Sequence, residues 1–184
     1  TTEIYDYIKL LYARIGKTFS PISGEEVKKH TVTDVVNHVK IYDEGTKLLL
    51  LAPIVIREDR DALKSLELFS KQGYARIKYN DKVLRIDQAP EDIGKKFDLV
   101  IDRIITKNDE DFYNRLANAV DTAFFEGKGE CIIEELADGK QTPFSNKFEL
   151  DGMAFLEPNV HLFSFNNPYG ACPKCEGYGV VISI

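Results

Sequence analysis

Four consecutive leucines, Leu48-Leu49-Leu50-Leu51, lie within Lys47–Ile56 of this 184-residue chain. Successive side chains of a strand point to opposite faces, so this run is apolar on both and belongs in the middle of a sheet. Pro53 cannot donate to a ladder and is expected near the strand's end or at a bulge. A central strand needs neighbours, and three stretches offer them. Phe97–Thr106 reads as a further strand, interrupted by Asp102-Arg103. Tyr74–Ile86 reads as a hairpin turning at Asn80-Asp81, and Glu130–Glu135 with Gln141–Phe144 as a second one around Asp138-Gly139.

Helical spacing fills the gaps between these strands. Thr31 and Asp34 resemble a capping box ahead of Val32, Val35, Val36 and Val39. Ala62, Leu63, Leu66 and Phe69 mark a helix that Gly73 terminates, and Phe112, Leu116, Ala119, Val120 and Ala123 mark one capped by Asp109 and stopped near Gly127. Mixed order of helices and strands makes residues 30–147 an α+β unit. Before it, Ile4, Ile8, Leu11 and Ile15 form the packed face of a helix that Gly16 ends in a left-handed turn, with Tyr5 and Tyr12 as a second edge. Lys17–Lys29 is a connector, and Phe148–Pro158 leads out of the central unit. Segments 1–29 and 148–184 are therefore expected to share one host body into which 30–147 is inserted.

Alternation in the first hairpin separates its faces. Pairing Tyr79 with Lys82 puts Ala75, Ile77, Tyr79, Leu84 and Ile86 towards the core, and Tyr74, Arg76, Lys78 and Arg85 on the opposite face, with Arg76 directly across from Arg85. Two readings stand for that basic face: plain solvation, or docking of an acidic partner. The Asp102-Arg103 pair is likewise either an internal salt bridge or a charge held out for a partner.

The net charge of −6 argues against broad, sequence-independent binding to a phosphate backbone. No apolar run approaches the ~20 residues of a membrane span, and Thr1-Thr2-Glu3-Ile4 lacks the pattern of a signal peptide. Cys172 and Cys175, two residues apart and followed by glycines, match half of a structural zinc site, with a redox dithiol as the alternative. The third cysteine, Cys131, lies in an apolar run and reads as a buried thiol. His30, His38 and His161 show no ligand-like repeat. This cysteine usage points to a reducing cytoplasm. Neither a nucleophile with a nearby base nor a suggestive carboxylate pair marks an enzyme.

Several strings, among them Leu10-Leu11-Tyr12-Ala13-Arg14-Ile15-Gly16, Lys71-Gln72-Gly73-Tyr74-Ala75-Arg76, Val100-Ile101-Asp102-Arg103, Phe144-Ser145-Asn146-Lys147-Phe148 and Leu162–Gly179, closely resemble the UvrA family of damage-recognition ATPases in bacterial nucleotide excision repair. The resemblance runs the length of the chain. It implies an internal fragment: residues 30–147 as the UvrB-binding domain, inserted into part of the first ATPase half's signature domain. It implies UvrB as partner, with docking arginines at Arg76 and Arg103; Tyr74, Lys78 and Arg85 are added from the hairpin's geometry. Damaged DNA and a second UvrA are implied as partners of the whole protein, and a local DNA-contacting role is the alternative function. No Gly-x-x-x-x-Gly-Lys-Ser/Thr run occurs, so ATP is expected to be bound by the parent and not by this piece.

The family's first zinc site uses a cysteine pair after the first helix and another before Leu-Phe-Ser-Phe-Asn. Here Ser20-Pro21-Ile22-Ser23 and Phe148–Met153 stand in those places, which implies a metal-free junction held by packing. Cys172 and Cys175 resemble half of the family's next zinc module, so zinc is expected in the intact protein and weakly or not at all here.

Overall fold

The computed structural model describes residues 2–164 and residue 169. In chain order its elements are α1 (Thr2–Ile15), α2 (Val32–Val39), β1 (Lys47–Val55), α3 (Ala62–Lys71), β2 (Arg76–Tyr79), β3 (Lys82–Arg85), β4 (Lys96–Ile105), α4 (Glu110–Glu126), β5 (Glu130–Glu135), β6 (Gln141–Ser145), β7 (Glu149–Leu150) and β8 (Met153–Ala154). They fall into two units: His30–Lys147, and the described parts of 1–29 and 148–184.

In the larger unit six antiparallel strands form one sheet in the order β3-β2-β4-β1-β5-β6, with the leucine-rich β1 flanked by β4 and β5. Its even-numbered side chains meet helices. Leu48 and Leu50 join Val35, Val36 and Val39 of α2 and Phe112, Leu116, Val120 and Ala123 of α4 in one core. Ala52 and Ile54 join Ala62 and Leu66 of α3, Ile77 and Leu99 in another. The odd-numbered Leu49 and Leu51 form a third cluster with Val100 and Ile132, and no helical residue belongs to it. Among the described residues of this unit, one face of the sheet therefore carries α2, α3 and α4 and the other carries no helix.

Local chemistry accounts for the element ends. Thr31 and Asp34 make the reciprocal capping box that starts α2. The hairpin between β2 and β3 turns at Asn80 and Asp81, whose positive φ values of 50° and 59° fit a two-residue primed turn. Helix α3 ends in a full Schellman motif: the amide of Tyr74 donates to Phe69 O, that of Gly73 donates to Ser70 O, and Gly73 takes φ +100°. At the end of α4 it is Lys128, not Gly127, that adopts the left-handed conformation. A bulge displaces the β1–β4 register between Leu50 and Leu51, so Ile101 is passed over in the pairing.

In the smaller unit α1 differs from the expected arrangement. Ile4, Leu11 and Ile15 are more than half exposed, whereas Tyr5 donates its hydroxyl to Phe163 O at 2.8 Å and Tyr12 meets the Phe163 ring at 5.7 Å. No described element of this unit lays an apolar layer against the isoleucine edge. Gly16 ends α1 without a left-handed turn; a Cβ there would fall 2.3 Å from Tyr12 O.

The same unit contains a hydrogen-bonded clasp. Asp151, at the turn between β7 and β8, accepts from the hydroxyls of Ser20 and Ser23 and from the Ser23 amide at 3.3 Å. Serine hydroxyls and one carboxylate are oxygen donors that already satisfy each other, a set that does not fit tetrahedral zinc, which takes thiolates and imidazoles. Packing alone therefore does not describe this junction; directed polar bonds hold it.

Candidate protein-interaction face

The helix-free face is built by the register of five strands. Leu49 pairs with Arg103 and Glu134, Leu51 with Val100 and Ile132, and Pro53 with Asp98, which in turn pairs with Lys78. Arg76 and Arg85 form the outermost pair on the same side. Apolar residues thus occupy the middle of the face and charged ones surround them.

Arg76 and Arg103 are both exposed, and among the described residues neither guanidinium enters an ion pair or a hydrogen bond. They come together. Strands β2 and β4 are paired at Ile77↔Leu99 and Lys78↔Asp98, and where that pairing stops a shallow cleft of about 280 Å³ opens between Gly73–Arg76 and Val100–Arg103. Both arginines line it. Asp102 does not neutralise its neighbour's side chain; it accepts from the Arg103 amide at 2.7 Å and lies 3.5 Å from the Arg115 guanidinium. The Asp102-Arg103 pair is therefore no internal salt bridge.

The like charges of Arg76 and Arg85 are relieved on one side only. Asp87 takes Arg85 by two hydrogen bonds, at 3.0 and 2.8 Å. That leaves Arg76 as the unneutralised member.

Three assignments of the hairpin change. Lys78 is not a solvated cation: its side chain is 7% exposed, it donates to Glu134 of β5, and Asp81 lies 3.5 Å away. Glu134 also accepts from Gln141 at 2.5 Å. Tyr74 lines the arginine cleft, but the Schellman turn folds its ring onto Phe69 (6.1 Å between centroids) and its hydroxyl donates to Glu126 at 3.1 Å. Burial and the Glu126 carboxylate push that phenol up to about 12. Ala75, placed with the core from alternation, is exposed because it precedes the paired strand.

Asp98 completes the charged rim of the face and was missed from the sequence. It is half-buried, and burial holds its carboxyl above the usual range; nearby Glu134 and Asp81 push the same way, while Lys78 pulls down. With Lys78 and Asp81 it lines a second shallow cleft of about 310 Å³. Elsewhere, Cys131 is fully buried in the α2/α4 core, where burial pushes its thiol up to about 12. Cys172 and Cys175 lie outside the described residues, and among the described residues no three His, Cys, Asp or Glu side chains gather into a metal site. No described helix is long and apolar enough to cross a membrane.

A family model described as the UvrA interaction domain matches residues 30–137, which spans the whole of the sheet's inner strands and all three helices around them. The chain belongs to that family. Its relatives agree: it is 34% identical over 188 residues to UvrABC system protein A of Staphylococcus epidermidis, 34% over 190 residues to that of Methanothermobacter thermautotrophicus, and 36% over 187 residues to that of Oceanobacillus iheyensis. Each of these alignments covers all of this chain and 19–20% of the relative. The chain thus spans about a fifth of the length of the UvrABC system A proteins it matches. Within this UvrA interaction domain, both candidate arginines and the whole of the cleft they line fall inside the matched segment.

Proposed function

We propose that this chain is the partner-docking part of a UvrA-type damage-recognition ATPase, and that the helix-free face of its sheet holds UvrB for delivery to lesions in nucleotide excision repair. One observation carries the reading: two guanidiniums from adjacent strands, both exposed and both without a carboxylate among the described residues, line a single cleft. Cations held out of internal pairs steer encounter and fix register with an acidic partner. Arg76 and Arg103 make the contact, and Arg85 lies beside them with its charge partly answered by Asp87.

Residues 30–147 then act as the UvrB-binding domain, and 1–29 with 148–184 as part of the first ATPase half's signature domain. ATP is handled outside these 184 residues, which contain no phosphate-binding Gly-Lys-Ser/Thr loop. Cys172 and Cys175 supply two thiolates of a zinc knuckle whose other two ligands lie elsewhere in such a protein. Damaged DNA, a second UvrA and a cytoplasmic setting belong to the whole assembly.

Calorimetric titration of UvrB with the chain and with Arg76→Glu/Arg103→Glu tests this. Affinity is expected to fall by about tenfold or more, with an unchanged denaturation midpoint because both side chains are solvated. Undiminished affinity removes the assignment. Salt-sensitive binding of the unaltered chain to duplex DNA would move the role to direct DNA contact.

A further inference from the structure

The larger unit has a second groove whose lining shares no residue with the arginine cleft. Strand β1 runs to Val55 against β4, but its pairing with β5 ends at Leu51↔Ile132. Pro53, which has no amide hydrogen to give a ladder, stands two residues beyond. From there β1 and β5 part, and the space between them is a groove of about 440 Å³ with the end of β1 as floor, α3 as one wall and the C-terminal end of α4 as the other.

Its lining combines exposed apolar side chains with charged ones. Leu68 is 57% exposed and Phe125 80%, two large apolar side chains that line one groove. Isolated exposed apolar residues need no explanation, but a grouped set with a polar rim marks an interaction site. The rim is cationic, with four Lys or Arg against two carboxylates, in a chain of net charge −6. Arg57 is answered by Asp59 at 3.4 Å and Lys147 by Glu130 at 3.1 Å, and Glu126 accepts the Tyr74 hydroxyl. Arg60 and Lys128 have no carboxylate among the described residues.

We propose that this groove binds an acidic peptide segment of a protein partner, anchored by bulky apolar side chains between Leu68 and Phe125 and by carboxylates on Arg60 and Lys128. Charge complementarity selects an acidic occupant, and the apolar walls select a peptide over a phosphate backbone, which would find two free cations and no continuous basic track.

Fluorescence anisotropy tests this with the 184-residue chain and three labelled peptides: alternating glutamate and leucine, alternating glutamate and serine, and alternating lysine and leucine. The glutamate–leucine peptide is expected to bind at least about tenfold tighter than either control, and Phe125→Ser and Arg60→Glu/Lys128→Glu are each expected to weaken it by about tenfold. Arg76→Glu/Arg103→Glu is expected to leave it unchanged, which separates this groove from the UvrB cleft. All three sites are exposed, so the variants keep the fold, verified by their denaturation midpoints. No preference for the glutamate–leucine peptide, wild-type binding by the groove variants, loss on Arg76→Glu/Arg103→Glu, or displacement by duplex DNA would each overturn the proposal.

Discussion

Lys78 of β2 and Glu134 of β5 form an ion pair across the two strands, β4 and β1, that lie between them. At the usual strand spacing, three steps across a sheet are roughly 14 Å, so both side chains lie stretched along the face. Their route passes over rows that include Val100 and Leu51, which are buried although no helix belongs to that cluster. The pair thus acts as a strap that closes the middle of the helix-free face, and it removes Lys78 from the charges a partner can reach.

Such a strap predicts asymmetric mutational costs. With each side chain 7% exposed, Lys78→Met strands the Glu134 carboxylate and is expected to cost about 3–5 kcal/mol, whereas Glu134→Gln leaves Lys78 with Asp81 at 3.5 Å and is expected to cost less. The double variant Lys78→Met/Glu134→Leu is expected to recover most of that loss, since both charges go together and apolar surface replaces them. Urea denaturation measures both. A Lys78→Met variant within about 1 kcal/mol of the parent would mean the pair behaves as a surface bridge and closes nothing.

The Ser20–Ser23–Asp151 clasp predicts an acid-sensitive, chelator-insensitive junction. Hydrogen bonds from Ser20 and Ser23 hold the Asp151 carboxyl below its ordinary value. A depressed carboxylate stabilises the folded form above its unfolded pKa of about 3.9, and that contribution is lost as pH falls through the lower, folded pKa. Proteolysis of the Ser20–Gly24 loop is expected to rise in that acidic window and to be unaffected by EDTA at neutral pH. Asp151→Asn is expected to show the faster cleavage at neutral pH and to lose the acid-dependent limb; an Asp151→Asn loop as resistant as the parent's would show that the clasp holds nothing.

Much of the larger unit was legible because local signals and burial agreed there. Leu48–Leu51 demanded a central strand, Thr31 and Asp34 announced α2, and Asn80-Asp81 and Asp138-Gly139 placed both hairpins. What alternation could not supply was reach. Lys78 sits on the face predicted for it, yet its long stem finds a carboxylate 56 residues away, on a strand whose position in the sheet no local pattern encodes. The surroundings of Tyr74 were misread because a strand's alternation was extended two residues, through Ala75 to Tyr74, into a helix cap where the Schellman turn sets side-chain direction instead. The clasp at Asp151 was invisible for a similar reason: it joins residues 128 and 131 positions apart.

Asp98 predicts a stability gain on neutralisation. Burial, with Glu134 and Asp81 adding and Lys78 opposing, raises its carboxyl above the ordinary value, so the folded state prefers the protonated form. A raised carboxyl gains stability as pH falls through its folded pKa and loses it above. Asp98→Asn is therefore expected to be more stable than the parent at neutral pH, with the difference vanishing in acid. Thermal melts across that range read it, and a variant less stable at neutral pH would show that attraction to Lys78 outweighs burial.

The three arginines of the proposed docking face predict a graded and coupled response to charge reversal. Arg76 and Arg103 line the same cleft, so their effects on UvrB affinity are expected to be non-additive, with a coupling of about 0.5–3 kcal/mol in a double-mutant cycle. Arg85 is already held by Asp87, and Arg85→Glu is expected to lose less affinity than Arg76→Glu even though the two residues are direct cross-strand partners. Raising ionic strength is expected to narrow the gap between parent and variants, because exposed charges are screened within about 8–10 Å at physiological salt. Calorimetric titrations at two salt concentrations measure all three effects. Strictly additive losses at Arg76 and Arg103, or a loss at Arg85 equal to that at Arg76, would mean that the cleft is not where the partner's charge is received.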